Sequence, residues 1–566
     1  MRSSRRGLRI ATAIVTLALA ATACGGDDGE GTGTTQGDKK SKEFKLEGSK
    51  GGTLKVVGNG DTDYLDPQRT YYTAGFSIQR ALSRQLLTYK AGAADSGGYD
   101  VVPDLAKAMP TISEDGLTYT FELKDGIKFE DGVEIKAADI KYGVERSFEV
   151  DTLSGGPQFM SEVLEGGDKY KGIYKDPAGM PAITVEGDKK ISFKLHSPYA
   201  DFIYVVALPT TTPVQKAKDT RDKYNLKPQA TGPYKLASYK PEKEIILDRN
   251  PNWDAGTDEV RKAYVDRIEI TLGVEPADIT QRIEAGDADI SFDTSLEPQD
   301  IARVKGDPTL LAQTNDVATG CTRYLSMNTT VAPFDKLEVR QAMQYAVNKE
   351  TYRTARGGPT AGDFADGMLP PFGQDELNLY PAPPVGDPVK AKELFAKAGY
   401  TGGKVLMLAT NAGKGLASAQ AVQAALKPYG MQVELKQVAP GVFFTELGTP
   451  SKKYAMGIAG WCADWPGPST YIGPLFHGKK ITPNGNKNYS MLNDPAVNAA
   501  IDDANKTADV DEANAKWFAL DKQIMELAPI VPMIHDRQFS IHSARLKNAY
   551  VHPAWSHEDY PNLAVQ

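Results

Sequence analysis

Beyond residue 51, the order of apolar and polar positions switches repeatedly between a repeat of two residues and a repeat of 3.6. A repeat of two indicates a strand, and a repeat of 3.6 indicates an amphipathic helix. Strands are predicted in this way at 53–57, 118–123, 191–195, 244–248, 267–272 and 530–534. The strand at 118–123 precedes Lys124-Asp125-Gly126, which is typical of a hairpin turn. Because both element types alternate without an internal repeat, the chain is predicted to be an α/β protein.

Apolar positions at helical spacing predict helices at 76–87, 339–347 and 511–527. A further helix carries its own start and stop signals. Asp387 is a capping residue, Pro388 follows it in the first turn, and Gly399 is typical of a helix end. Leu394 and Phe395 face inward, so we expect this amphipathic helix to pack against a sheet.

The first 23 residues have the composition of a secretory signal peptide. Four arginines precede an apolar run of roughly 12 residues that ends at Ala21, which is shorter than the ~20 residues a membrane-spanning helix needs. Ala21-Thr22-Ala23-Cys24 resembles a bacterial lipobox, with Ala21 where leucine is usual. We therefore expect cleavage after residue 23 and a lipid on Cys24, with ordinary secretion as the alternative. Secretory and twin-arginine export both stay open.

Residues 24–50 are predicted to form a flexible, lipid-anchored tether. Up to about residue 42 they are mostly Gly, Asp, Thr and Lys and contain no large apolar side chain, so they cannot bury enough surface to fold. The whole chain of 566 residues has a formal net charge of −8. This balance disfavours binding to nucleic acid, which needs a basic face.

The chain contains three cysteines, Cys24, Cys321 and Cys462. If Cys24 carries the lipid, the other two form an even pair in an exported, oxidising setting, and we expect a disulfide between them. Two separate buried thiols are the alternative, because bridge formation depends on three-dimensional distance.

A long ordered series of short motifs covers nearly the whole chain after the tether. These motifs lie at 64–67, 103–106, 115–123, 126–132, 138–140, 231–234, 248–251, 286–290, 339–342 and 396–400. In this order they resemble the extracellular solute-binding protein family 5, the peptide, dipeptide and nickel receptors of ABC importers. The resemblance implies a two-lobed fold like that of periplasmic binding proteins (type II, cluster C), with an additional subdomain in the first lobe.

The same resemblance divides the chain and suggests how it moves. We expect lobe I at 51–316 with its inserted subdomain at about 96–215, lobe II at 319–540, and a C-terminal segment at 541–566 that returns to lobe I. The chain crosses between the lobes near 318–322 and 535–543, and these crossings are predicted to act as hinges. The ligand is expected to lie between the lobes.

Gly460-Trp461-Cys462-Ala463-Asp464, together with Cys321, looks most like the oligopeptide-binding branch of the family. That likeness implies a disulfide from Cys321 to Cys462. It also implies that Asp464 binds the ligand's α-ammonium and that the backbone of 460–462 pairs with an extended peptide. Backbone pairing accepts any peptide sequence, whereas one carboxylate fixes where the peptide begins.

Other residues carry weaker expectations. Tyr71, Tyr72 and Thr73 fall where the family presents backbone to the peptide from the opposite lobe. Trp461 has two equal interpretations, as a ligand contact or as a core residue. Ile458 stands where the oligopeptide-binding type has an arginine that can pair with a ligand carboxylate, so ligand length stays open.

The function implied is that of an extracytoplasmic receptor for peptides, bound to the membrane through the lipid on Cys24. It would be a monomer without cofactor or metal, and its partners would be the permease and ATPase subunits of an ABC importer. Three alternatives stay open: a nickel or metallophore receptor, a secreted hydrolase and a pure signalling receptor. The first is suggested by His535, His542, His552 and His557, although their spacing fits no common metal motif. The second lacks the usual nucleophile and metal motifs of peptidases.

Overall fold

The structure is a computed structural model that describes residues 44–566 apart from 294–295, 371–375, 412 and 484. The predicted signal peptide, Cys24 and most of the predicted tether lie outside the described residues. Within the described ranges, no helix combines the length and the apolar character needed to cross a membrane. The last residues before the body make contacts with it: Phe44 packs edge-on against Tyr550, and the Glu47 amide donates to the Asn548 side chain.

The strands form three larger sheets in the described part of the chain. In spatial order, the first contains Ile290–Ser291, Thr53–Val57, Arg267–Thr271, Glu244–Arg249 and Tyr234–Lys240. The second contains Thr111–Ile112, Thr118–Glu122, Lys190–Lys194 and Ile183–Glu186. The third contains Gly362–Phe364, Ile530–Ile541, Thr314–Met327, Met456–Cys462, Gly403–Thr410 and Met431–Val438. Short pairs join Leu87–Tyr89 to Val101–Pro103, Leu546–Lys547 to Ala564–Val565, and Val551–His552 to His557–Glu558.

Helices pack around these sheets. The α-helices of the described residues are Thr73–Leu82, Ala137–Arg146, Phe159–Val163, Phe202–Val205, Pro276–Glu284, Pro298–Gly306, Pro308–Leu311, Leu337–Ala346, Lys349–Ala355, Pro388–Lys397, Gly413–Leu426, Pro440–Leu447, Ser469–Phe476, Pro495–Asn505 and Val510–Glu526. By the predicted boundaries, the first sheet lies in lobe I, the second in its inserted subdomain and the third in lobe II, and we use the lobe names for those residue ranges. The chain therefore has the mixed α/β, two-lobed fold that the motifs imply.

The predicted strands are all present: five agree within one residue at each end, and the strand predicted at 530–534 continues to Ile541. The predicted helix at 387–399 is also confirmed. The Asp387 carboxylate accepts the amides of Val389 and Lys390, and Gly399 has a left-handed φ of 66° just after the helix. The side chain therefore satisfies two of the amides that the helix start leaves unpaired.

The predicted helix at 76–87 is wrong at its C-terminal end. The helix spans Thr73–Leu82, and Ser83 has extended backbone. Arg84 lies in a fully buried ion pair, because its Nε donates to the Asp104 carboxylate at 2.6 Å. Leu87 then begins a strand. The apolar residues after position 82 are buried in this non-helical segment. Their spacing in the sequence therefore resembled a continuing helix.

Several motif residues behind the family resemblance hold lobe I together. Asp66 accepts two hydrogen bonds from the fully buried Arg146, at 2.9 and 2.7 Å. Asp104 pairs with Arg84 and also with Arg261, at 2.9 Å. A buried charge is stable only when it is paired and hydrogen-bonded, so each carboxylate requires its arginine. These motif residues are therefore structural.

Two long strands of the third sheet connect the lobes. Thr314–Met327 and Ile530–Ile541 pair antiparallel over most of their length, but the register shifts between Ala318 and Thr322. A shift of this kind marks a local bend in the ladder. It coincides with the crossings expected as hinges, and the hinge role itself stays a prediction.

Candidate functional site

The end of the strand Met456–Cys462, which we call the anchor strand, leads directly into the candidate site. Asp464 lies two residues beyond it and faces lobe I, where the Tyr71 hydroxyl donates a short hydrogen bond to its carboxylate. Asp464 borders two cavities. The larger has a volume of about 290 Å³ and includes Phe159, Glu162 and Trp465 in its wall. The carboxylate therefore lies between the lobes, at the edge of an internal space.

The electrostatic setting of Asp464 is unusual for a carboxylate. Burial and, to a smaller extent, the negative charge of Glu162 raise its pKa to about 6, while the hydrogen bond from Tyr71 opposes the shift. Burial and the facing Asp464 in turn hold the pKa of the Tyr71 hydroxyl well above its usual range. Among the described residues, no lysine, arginine or histidine forms an ion pair with Asp464. The site therefore offers a negative charge whose positive partner has to come from elsewhere.

The backbone of the anchor strand is paired on only one edge near the site. On one side it pairs with Thr314–Met327 along its full length, from Met456 to Cys462. On the other side it pairs with Gly403–Thr410 only at Met456 and Gly457. In the described structure, residues 458–462 therefore have one edge without a strand partner. Such an edge is a template for an added strand.

The disulfide fixes the end of this strand. Cys321 and Cys462 are bonded, as the cysteine count and the resemblance predicted, and they are directly opposite each other in the strand pair. The Ala463 amide also donates to the Gly320 carbonyl at 2.8 Å. Backbone hydrogen bonds therefore hold the chain both before and after Cys462, and this positions the Asp464 carboxylate.

The two tryptophans near the site have structural contacts. Trp461 donates its indole N–H to the Thr470 carbonyl at 2.7 Å. Trp465 is 2% exposed and enters the core of the lobe I subdomain. There it packs edge-on against Phe159, with ring centroids 4.9 Å apart, and stacks on Tyr204. Trp465 thereby joins the two lobes beside Asp464.

The segment 71–73 of the opposite lobe contributes the Tyr71 side chain to the candidate site. The amides of Tyr71 and Tyr72 both donate to the Asp63 carboxylate, and Tyr72 begins the helix that includes Thr73. The Tyr71 side chain reaches Asp464. The structure thus brings Tyr71 to the candidate site through its hydroxyl, and the Tyr72 side chain is exposed.

Another contact between the lobes was not apparent from the sequence. The Ser469 hydroxyl of lobe II donates a short hydrogen bond to the Asp201 carboxylate of the lobe I subdomain. Burial raises the pKa of Asp201. A serine and an aspartate more than 260 residues apart carry no local signal, so only the folded chain reveals the pair.

A third cavity lies at the other end of the open edge. It has a volume of about 170 Å³ and is bordered by Ile458 and Ala459 of the anchor strand. Arg323 and Arg356 reach it from two other elements. Ile458 therefore forms part of the wall of a cavity that is also lined by two arginines from other elements of lobe II.

The histidines near the C-terminus have structural partners. His535 Nδ1 lies 2.9 Å from the Thr322 hydroxyl, and His552 stacks on Trp555 with ring centroids 3.6 Å apart. Burial lowers the pKa of His535 to about 4 and that of His552 to about 3. Within the described residues, no group of three or more His, Cys, Asp or Glu side chains is arranged to hold a metal ion.

Comparison with known proteins agrees with this architecture. Residues 100–483 match the bacterial extracellular solute-binding proteins, family 5. The glutathione-binding protein GsiB of Escherichia coli K12 is 27% identical over 465 residues, which cover 79% of this chain and 84% of that protein.

Solved structures show the same fold. The clavulanic acid biosynthesis oligopeptide binding protein 2 superposes with a TM-score of 0.86 at 32% sequence identity, covering 91% of this chain and 96% of that one. DppA of Helicobacter pylori, in complex with the peptide STSA, superposes with a TM-score of 0.70 at 21% identity, covering 91% and 98%.

Proposed function

The chain belongs to the bacterial extracellular solute-binding proteins of family 5, and we propose that it captures short peptides by their free α-amine between its two lobes. It then delivers them to the permease and ATPase subunits of an ABC importer. The observation that carries this proposal is the position of Asp464. It is a partly buried carboxylate next to an open strand edge, and no described lysine, arginine or histidine forms an ion pair with it.

The two parts of the site suit an extended peptide. An α-ammonium at Asp464 would supply the missing positive charge, and charge-assisted hydrogen bonds of this kind are strong where water is excluded. The peptide backbone would pair with Gly460 and Cys462 along the open edge, which requires no particular side chain. The site would therefore accept many sequences but would require a free amine.

Tyr71 explains how binding and closure are linked. In this structure its hydroxyl donates to the carboxylate that the ammonium would use. An ammonium has three donors and a full charge, so it would replace or supplement this bond and would favour the closed arrangement of the lobes. Trp465 would stay packed in the lobe I subdomain when the lobes are closed.

The names of the similar proteins point to the same ligand class. GsiB is named for glutathione, and the structure at 32% identity is named for oligopeptides. Both names refer to peptides. We propose accordingly that the protein is a receptor without catalytic activity, which returns its ligand unchanged, and that it acts as a monomer.

The amine requirement can be tested by isothermal titration calorimetry with trialanine and N-acetyl-trialanine. We expect the acetylated peptide to bind the wild type at least tenfold more weakly, as loss of a charged hydrogen bond implies. The Asp464→Asn variant should bind trialanine at least tenfold more weakly and lose the difference between the two peptides. Asp503→Asn is a matched control, because Asp503 is an exposed lobe II carboxylate paired with Lys516. Equal affinities of the wild type for both peptides would reject the amine site.

We also propose that the mature protein is held at the outer face of the membrane by a lipid on Cys24. The supporting observation is the sequence at 21–24. Fractionation of expressing cells tests it: the wild type should be in the membrane fraction, and Cys24→Ala should be released. Equal distribution of the two proteins would show that the chain is secreted without an anchor.

A further inference from the structure

The smaller of the two cavities that Asp464 borders, which we call the small cavity, has a volume of about 40 Å³. Its wall includes Arg80 of the helix Thr73–Leu82, Tyr89 at the end of the strand Leu87–Tyr89, and Trp555 of the C-terminal segment. Arg80 is 4% exposed, and Tyr89 and Trp555 are each 6% exposed. Their polar atoms therefore have to find partners inside the protein or on a bound molecule.

Each of these three side chains has a buried polar atom without a hydrogen-bond partner among the described residues. The atoms are Nη2 of Arg80, the hydroxyl of Tyr89 and Nε1 of Trp555. The three groups lie together: the Arg80 guanidinium carbon is 5.3 Å from the Trp555 ring centroid, and the Tyr89 and Trp555 ring centroids are 6.4 Å apart. All three can donate, and the guanidinium and the indole can only donate. Because unmet buried donors are unfavourable, the small cavity requires an acceptor.

The charges around the small cavity favour a neutral acceptor over an anion. The Arg80 Nε donates to the Asp559 carboxylate at 3.2 Å, which balances the guanidinium. Asp464 adds a second carboxylate to the surroundings of the same cavity. An anionic group would therefore be repelled by two carboxylates and attracted by one guanidinium, whereas a hydroxyl or amide oxygen adds no charge.

The small cavity lies where the first residue of a bound peptide would begin. Asp464 is in its wall, and the proposed ammonium would bind that carboxylate. The side chain of the first residue starts at the carbon atom next to the amine, so it lies within reach of the cavity. A volume of about 40 Å³ exceeds what one water molecule needs, but it cannot hold a long or aromatic side chain.

From these contacts we infer that Arg80, Tyr89 and Trp555 bind the oxygen of a small, neutral side chain on the first residue of the peptide, such as the hydroxyl of serine. This inference rests on the proposed function. The amine decides whether a peptide binds, and the small cavity adds a preference among the peptides that have one. Serine-first peptides are therefore the favoured ligand class.

The test compares Ser-Ala-Ala with α-aminobutyryl-Ala-Ala by calorimetry on the purified protein. α-Aminobutyrate has the shape of serine, with a methyl group in place of the hydroxyl. We expect the serine peptide to bind the wild type about fivefold more tightly, as one neutral hydrogen bond implies. Trp555→Phe and Tyr89→Phe each remove one donor and keep an aromatic ring. Each should reduce the ratio of the two affinities, and the double variant should bring it to about one.

Trp253→Phe and Tyr234→Phe are the matched controls. Both residues lie in lobe I, but the Trp253 indole donates to the Asp258 carboxylate at 3.1 Å and the Tyr234 hydroxyl donates to the Val265 carbonyl at 2.9 Å. Neither is among the described residues that border the small cavity, so each control should keep the wild-type ratio. The melting temperature shows whether a variant is folded, and the wild-type comparison decides the inference even where a variant is not.

Asn-Ala-Ala and Asp-Ala-Ala test the charge argument, because their first side chains have the same size. We expect the asparagine peptide to bind the wild type at least about threefold more tightly, since the aspartate would face two carboxylates. The opposite order would assign the small cavity to an anion and overturn the inference.

Two further outcomes would also overturn it, and they differ in what they imply. Equal affinity for the serine and α-aminobutyrate peptides, with N-acetylated peptides still bound weakly, would refute the side-chain site and leave the amine site intact. This result is expected if a water molecule stays bound to the three donors. A wild type that binds no peptide of the panel would refute both.

Discussion

Acidification through pH 6 is expected to weaken the binding of a free-amine peptide. In the unliganded protein, burial raises the pKa of Asp464 to about 6. A bound ammonium favours the ionised carboxylate, so the pKa in the complex must be lower. Below pH 6 the unliganded site is increasingly protonated, and the ligand has to displace that proton. Affinity is therefore highest near pH 7 and falls as the pH drops through 6; it also falls above about pH 8, because the peptide's α-amine loses its proton there.

The magnitude follows from the two protonation states. With a pKa of about 6 before binding and a much lower one after it, affinity at pH 5 should be about tenfold below affinity at pH 7. Between these values the complex should release up to about one proton per bound peptide. Calorimetry in two buffers of different ionisation enthalpy measures both quantities with trialanine. Asp464→Asn should bind weakly and without this pH dependence.

The same shift predicts an effect on stability without ligand. The folded pKa of Asp464 is raised above its usual value of 3.8, so the carboxylate costs stability at pH values above about 6, and the cost disappears as the pH falls through 4. Asp464→Asn should thus stabilise the unliganded protein at pH 7.5 by up to about 3 kcal/mol. Affinity that stays constant from pH 7 to 5, or a variant that keeps the wild-type slope, would refute the reasoning.

Three further variants probe the surroundings of the site, each by thermal or urea unfolding together with peptide calorimetry. Replacing both Cys321 and Cys462 by alanine should lower the free energy of unfolding by about 2–5 kcal/mol, because the bridge closes a long loop; unchanged stability would show that strand pairing alone holds the site. Trp465→Ala should cost about 3–5 kcal/mol through lost packing between the lobes, and a loss below 1 kcal/mol would contradict its burial. Gly460→Ala should cost about 1–3 kcal/mol, because the new Cβ would lie 2.5 Å from Nη1 of Arg323 and displace that side chain; unchanged stability would contradict that explanation.

The sequence predicted most of the elements because their signals are local. Alternation at 118–123 and the cap at Asp387 each depend on neighbouring residues, and both elements are present. The helix predicted at 76–87 extended five residues too far. Arg84 and Leu86 bond to the distant Asp104 after the helix has ended at Leu82, and no local sequence pattern indicates these contacts.

The sequence pointed to only part of the candidate site. One motif and the cysteine count indicated the disulfide, Asp464 and the backbone of 460–462. They did not indicate Arg323 and Arg356, because the third cavity brings these residues together from a strand and a helix end that are 33 residues apart, and arginines are common at both kinds of position. The cavity becomes visible only when the end of Gly403–Thr410 and the open edge of the anchor strand are placed side by side.

The electrostatics of the site explain why ligand and closure depend on each other. Without ligand, the protein holds one partly buried carboxylate whose pKa is raised. Its negative charge is unfavourable in a space of low dielectric constant. A peptide with a free amine supplies the missing positive charge, whereas an N-acetylated peptide does not. Because a ligand shifts the lobes only by its preference for the closed state, the α-amine, more than the side chains that follow it, decides which peptides close the protein.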